Sequence, residues 1–276
     1  MPHKSGFKHL KSFNGIFLKR ITPPPCSRLY GIDPINVGTS LVESLTSYIV
    51  RLASAHCVTV GALVTLEIAP HINKDYILDH TSTTISSPFI LNSRMVNGLG
   101  VTAVDWADAL QALTLRKQFR LMTLLPLKGW ISKNKLLRTF RAWCPDCYAD
   151  WYRAEEMIYD PLSWSLNVVT VCLQHKRLLL CRCVYCNRQL TSLTRIIRPG
   201  FCPHCKKWLG GIAGTSLKET VPDPDQLQWQ AWVSDQLGTI LATVSQRPRS
   251  HPETLLSATK AQAKWTSASK FLTFRS

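Results

Sequence analysis

Cys144-Pro145-Asp146-Cys147, Cys172-Leu173-Gln174-His175, Cys183-Val184-Tyr185-Cys186 and Cys202-Pro203-His204-Cys205 are the four short stretches that decide how this chain folds. In each, two residues separate a pair of thiol or imidazole ligands, so a tight turn aims both side chains at one ion. Two such pairs a dozen or more residues apart complete a tetrahedral zinc site of the structural kind. Taken in chain order, the first two pairs make a Cys₃His set and the last two a Cys₄ set. Both sets are saturated and leave no position for water or substrate, so two structural Zn²⁺ are expected to hold the fold together and not to catalyse.

Two choices stay open within this pattern. Cys181 could stand in for Cys183, although only Cys183 forms a knuckle with Cys186. His204 could compete with Cys202, although the symmetric pair is the better ligand set. Cys26 and Cys57 read as small buried hydrophobes.

The 276 residues carry 33 Lys+Arg against 17 Asp+Glu, a formal charge of +16. Seven ligand thiolates and two Zn²⁺ bring this to about +13, which still predicts a polyanionic partner. With 45% hydrophobic and 18% charged residues the chain can bury a core. Seven of the ten cysteines in paired spacing, with Phe13 to Leu18 too short for a signal segment, place the expected home in a reducing cytoplasm. No apolar run reaches membrane-spanning length, and no membrane partner is expected.

Around the zinc block the expected organisation is mainly α, with small zinc-ribbon β elements. Residues 1–32 read as a basic arm, with six Lys/Arg and no acid up to residue 30 and the stiff Pro23-Pro24-Pro25. Residues 33–140 read as a helical domain, 141–212 as a tandem zinc-finger domain, and 213–276 as a C-terminal helix with a polar tail.

The clearest helix opens at Ser40, with Glu43 three residues later as a capping box and Leu41, Leu45, Tyr48 and Leu52 on one face. A second runs from Thr59 through Leu66. The two form either a helix-turn-helix or an ordinary αα-hairpin. Ser87-Pro88 starts another that ends at Gly98. Thr102 with Asp105 caps the next, Leu115 to Leu125 forms one more, and Gln226 to Val244 is the amphipathic C-terminal helix.

From Ala109 to Lys218 there are eighteen Lys/Arg and five Asp/Glu. Two runs contain no acid. One is Arg116, Lys117, Arg120, Lys128, Lys133, Lys135, Arg138 and Arg141. The other is Lys176, Arg177, Arg182, Arg188, Arg195, Arg198, Lys206 and Lys207. Flanking zinc knuckles, these runs read as a surface for nucleic acid or another phosphate-rich partner. Phe13 and Phe17 in the basic arm are candidate anchors for a partner protein. Trp143, Trp151, Trp164 and Trp208 surround the knuckles and read either as core filler around the metals or as stacking platforms or partner anchors; core is favoured for Trp164, in the apolar stretch before Cys172, and Trp208 stays open. No HExxH, Walker A lysine or G-x-S-x-G elbow occurs, so no enzyme is expected.

The order of these features resembles the TniQ/TnsD family of transposon target-selection proteins. Thr39 to Ala53 is similar to the family's opening helix, with its Glu-Ser-Leu (Glu43-Ser44-Leu45) and later Arg51-Leu52. Arg141-Ala142-Trp143-Cys144-Pro145-Asp146-Cys147 resembles the basic residue before Cys-Pro-x-Cys. Trp164 precedes Cys172 to His175, then come Leu178 to Leu180, and two CxxC pairs close the block. The chain departs in having Leu173 where proline is common, and in lacking a proline-rich lead directly against its first helix. The likeness covers roughly residues 20 to 210.

It implies an adaptor without catalysis of its own, joining a target-marking complex or target DNA to a TnsC-like AAA+ ATPase. Short members dock on an RNA-guided CRISPR effector ribonucleoprotein; long members carry further domains that read an attachment site. The 71 residues after Cys205, the last zinc ligand, favour the adaptor, as one copy or as a homodimer, and the resemblance places it on the nucleoid of a prokaryotic cell. The alternative is a TnsD-like sequence-specific DNA-binding protein.

Overall fold

A computed structural model describes residues 26–72, 77–78, 85–211 and 223–245. Most of the basic arm, with Phe13 and Phe17, and the tail beyond residue 245 lie outside the described residues.

Helix α1 spans Leu45–Ala55. Its cap is Ser44, whose hydroxyl accepts the Ser47 N–H at 3.3 Å, so the expected start at Ser40 is four residues early. The reason is Glu43. Its carboxylate does not cap a helix but is buried before the first turn, accepting Ile35 N–H, Ser47 Oγ–H and the Arg51 guanidinium at 2.6 Å. Burial pushes its pKa up to about 7 against the pull of Arg51. Leu45, Tyr48, Ile49 and Leu52 are fully buried on α1. Even Thr46 and Ser47 are covered, so α1 is a central helix and not an amphipathic surface one.

Cys57, expected to be buried, is exposed like Cys26 because it takes a left-handed conformation in the turn after α1, and Thr59 Oγ1 caps helix α2 by accepting Ala62 N–H at 3.1 Å. Helix α2, Val60–Ile72, meets α1 at 102°. Its middle, Val64–Ile68, is wound as a π-helix. A four-residue turn and this angle are compatible with a helix-turn-helix and with an ordinary αα-hairpin, and do not separate the two.

Helix α3, Ser87–Asn92, is capped by Ser86 with Pro88 in its first turn, and a 3₁₀ segment carries it to Gly98. Helix α4, Val101–Thr114, follows Gly100, and Thr102 plays no capping part. The helix expected over Leu115–Leu125 is absent. Leu115 turns left-handed at φ 59°, and Arg116 is drawn back onto the Gly31 carbonyl at 2.9 Å. Two short 3₁₀ turns follow, Phe119–Met122 and Leu125–Leu127, which bury Phe119, Met122 and Leu124.

The metal-ligand half contributes helix α5, Pro145–Arg153. Its β content is limited to isolated bridges, among them Val171 with Leu178, Arg182 with Gln189 and Phe201 with Trp208. The two halves share one hydrophobic core. Backbone bonds stitch them together: Ser44 N–H to Asp160 O at 2.9 Å, Leu162 N–H to Val42 O at 2.7 Å, and Gly61 N–H to Arg195 O at 2.9 Å.

The C-terminal helix α6, Pro224–Ser245, buries Ser234, Leu237 and Leu241. A Cβ on Gly238 would lie 2.8 Å from Ser40 Cβ and 3.1 Å from Leu173 Cδ1, so only glycine lets α6 approach the first knuckle. Among the described residues no single helix is long and apolar enough to cross a membrane.

Candidate metal centres

Two groups of four converge in chain order: Cys144, Cys147, Cys172 and His175, then Cys183, Cys186, Cys202 and Cys205. Within each, one ligand atom per residue lies within 4.8 Å of all the others. In the first, Cys147 Sγ is 3.4 Å from Cys172 Sγ and 3.3 Å from His175 Nδ1, and Cys144 Sγ is 3.6 Å from the same nitrogen. In the second, Cys183 to Cys205 is 3.6 Å and Cys186 to Cys202 is 3.8 Å. A tetrahedron with metal–sulfur bonds of about 2.3 Å has edges of about 3.8 Å, so both groups fit an ion of zinc's size. Cys181 and His204 belong to neither group. Cys181 lies beside Arg138, and His204 beside Arg188.

The ligand environment favours a cation. Hydrogen bonds from Cys144 and Cys147 pull the Cys172 thiol down to about 2. Bonds to Cys144 and Cys172, reinforced by burial, push Cys147 far above its ordinary value. One thiolate shared by two thiols is what such a cluster can hold by itself; three thiolates together require a bound cation.

The knuckles have one design used three times. Cys172, Cys183 and Cys202 each donate their N–H to the carbonyl five residues on, Arg177, Arg188 and Lys207, at 2.8–3.0 Å. The residue four positions after each is left-handed: Lys176 at φ 50°, Asn187 at φ 53° and Lys206 at φ 63°. The turn therefore fixes both ligands and ends on a basic residue each time. The first pair differs, because Cys144 is the N-cap of α5 and Cys147 sits in its first turn.

That helix supplies a group the sequence reading passed over. Asp150, one turn beyond Cys147, accepts from His175 Nε2 at 2.7 Å and so fixes Nδ1 as the metal-facing nitrogen. The signal was available: a helix with proline at its first position places Cys147 and Asp150 on one face. Asp146 pairs with Arg177 at 2.8 Å across the same site.

The basic residues divide. Arg182, Arg188, Arg195, Arg198, Lys206 and Lys207 are exposed, whereas Arg177 is half-buried against Asp146. Arg195 is also structural, donating to the Ile85 carbonyl at 2.8 Å. Arg198 lies over the Phe201 ring at 5.8 Å. In the other acid-free run, Arg116 pairs with Asp33 and Arg120 with Asp108, while Arg141 is buried. Trp208 is half-buried and packs against the core, its ring touching Tyr148, Tyr152 and Phe201 and wedged against Gly200 and Gly210, while Trp143, Trp151 and Trp164 are buried in the core.

No curated protein matches the chain. The family model named TniQ matches residues 34–179, a span that runs from the turn before α1 through all four ligands of the first metal group and stops short of the second. The chain therefore belongs to the TniQ family of transposition target-selection proteins.

Proposed function

We propose that this protein is a target-selection adaptor carrying two structural zinc ions, which links an RNA-guided CRISPR effector on target DNA to a TnsC-like AAA+ ATPase. The donor sets, Cys₃His and Cys₄ at tetrahedral spacing, are those that structural zinc takes. Zinc would be held by Cys144, Cys147, Cys172 and His175, and by Cys183, Cys186, Cys202 and Cys205. It supplies folding energy to a segment whose regular β structure is confined to isolated bridges.

The observation that carries the adaptor reading is the character of α2. In a DNA-reading helix-turn-helix the second helix enters the major groove with basic and polar side chains. Here α2 has no Lys or Arg, its Glu67 is engaged by Arg28, and Gly61 packs on the Arg195 backbone. Exposed charge gathers instead at the knuckles around the second metal group, in Arg182, Arg188, Lys206 and Lys207. Such a surface suits phosphates read without sequence preference, in DNA or guide RNA.

The test is to mix zinc-loaded protein with candidate effector ribonucleoprotein, candidate ATPase and short duplexes. An adaptor co-purifies with both protein partners and shifts duplexes weakly, with steep salt dependence and no sequence preference. Tight binding to one duplex sequence at physiological salt would favour the alternative, a TnsD-like reader of an attachment site.

A further inference from the structure

A second cluster of charge lies where the two halves meet, away from the knuckles. Two arginines of the acid-free run, Arg138 and Arg141, line one cavity with Ser44, Thr46, Asn97 and Ser192. Its non-atom space is about 340 Å³ including the solvent at its mouth. Arg141 is only 8% exposed. Its Nε and Nη2 grip Asp160 at 2.7 and 3.1 Å, and Nη2 also donates to Tyr148 Oη at 2.6 Å. Nε meets Asp160 as an ion pair only: among the described residues neither it nor the buried Nη1 makes a hydrogen bond.

Arg138 is more exceptional, because it faces no carboxylate. Its Nη2 donates to the Val169 carbonyl and its Nη1 lies 3.7 Å from Cys181 Sγ, while its buried Nε has no partner among the described residues. Burial draws its guanidinium below its ordinary value. Asp160 is the single carboxylate on the cavity wall and is already spent on Arg141. The N-terminal end of α1, with Ser44 and Thr46 on the wall, adds its positive dipole end. The cavity wall therefore carries about one and a half uncompensated positive charges, that of Arg138 and the helix end.

We propose that this cavity binds a phosphate-type oxyanion beside Arg138 and Arg141. The anion supplies the charge that the wall omits, and it ties the start of α1 to the segment leading into the first metal group. Serine and asparagine side chains on the wall suit the remaining oxygens of a tetrahedral oxyanion. The oxygens come either from free inorganic phosphate or from a phosphate of a nucleic-acid backbone. The inference is independent of the adaptor reading.

The experiment uses full-length, zinc-loaded protein in titrations with inorganic phosphate and sulfate, with sodium chloride holding ionic strength constant, followed by calorimetry and thermal unfolding. Saturable binding and a rise in Tm are expected, and Arg138→Gln should weaken binding at least tenfold with zinc content unchanged. Ser192→Asp serves as a second variant that does not delete an arginine. Its carboxylate should take the anion's place, leaving a folded protein that no longer responds to phosphate. A short oligonucleotide competed off by phosphate in wild type, and weakened in Arg138→Gln, assigns the backbone as source. Oligonucleotide binding indifferent to both assigns the free anion. A wild-type Tm and heat signal that respond to phosphate no more than to chloride would overturn the proposal and leave the cavity to water.

Discussion

Replacing Asp150 by Asn isolates one contact of the first metal group. The Asp150 carboxylate holds His175 Nε2 at 2.7 Å, while Nδ1 sits 3.3–3.8 Å from the three sulfurs. The carboxylate fixes the tautomer and makes the imidazole a stronger donor, and loss of such a partner costs about 10–100-fold in metal affinity. Here Asp150 is 46% exposed and shared with Arg153, so screening by water places the effect at the lower end, about tenfold or 1.4 kcal/mol. The assay is competition between the protein and a chromogenic chelator, which resolves two metal equivalents. In Asp150→Asn one equivalent should be released at about one-tenth the chelator concentration that wild type needs, the other unchanged. Asp146→Asn removes only the half-exposed ion pair to Arg177 and should shift neither step by more than about twofold. Equal release curves for Asp150→Asn and wild type, or a shift in both equivalents, would refute the assignment of Asp150 to a first, independent site.

Cys144→Ala and Cys202→Ala should each lose one metal equivalent by native mass spectrometry, and both losing two would mean a single coupled cluster. Arg51→Met strips the partner from the fully buried Glu43 and should cost about 3–5 kcal/mol in urea unfolding, much of it recovered by adding Glu43→Gln. Gly200→Ala combines a left-handed φ of 75° with a Cβ placed 2.2 Å from the Trp208 ring, and should lower Tm and loosen the second site. Reversing Arg188 and Lys207 to Glu should weaken duplex binding and flatten its salt dependence by about 0.9 in log–log slope per lost phosphate contact.

The metal half was legible in the sequence because its order is written in covalent spacing. A pair separated by two residues needs a turn, and the turn fixes both ligands whatever surrounds them. The helical half was legible in its element types and less so in its boundaries. Ser40 and Glu43 have the spacing of a capping box, but Glu43 is worth more to the fold as the buried partner of Arg51, so the cap moved to Ser44. Leu115 to Leu125 has a helical composition, and tertiary contacts overrode it when Arg116 was anchored on Gly31. Asp150, Arg138 and Arg141 were in view as charges only, since nothing in linear spacing states that one faces a metal ligand and two share a cavity.

The adaptor account is tested most directly by watching labelled ATPase on long DNA that carries a guide-matched target, with effector ribonucleoprotein present and this protein added or withheld. The account predicts that the ATPase gathers at the matched site only when this protein is present, and that the site moves when the guide is changed. ATPase gathering at one fixed sequence irrespective of the guide, or equally well without this protein, would contradict it.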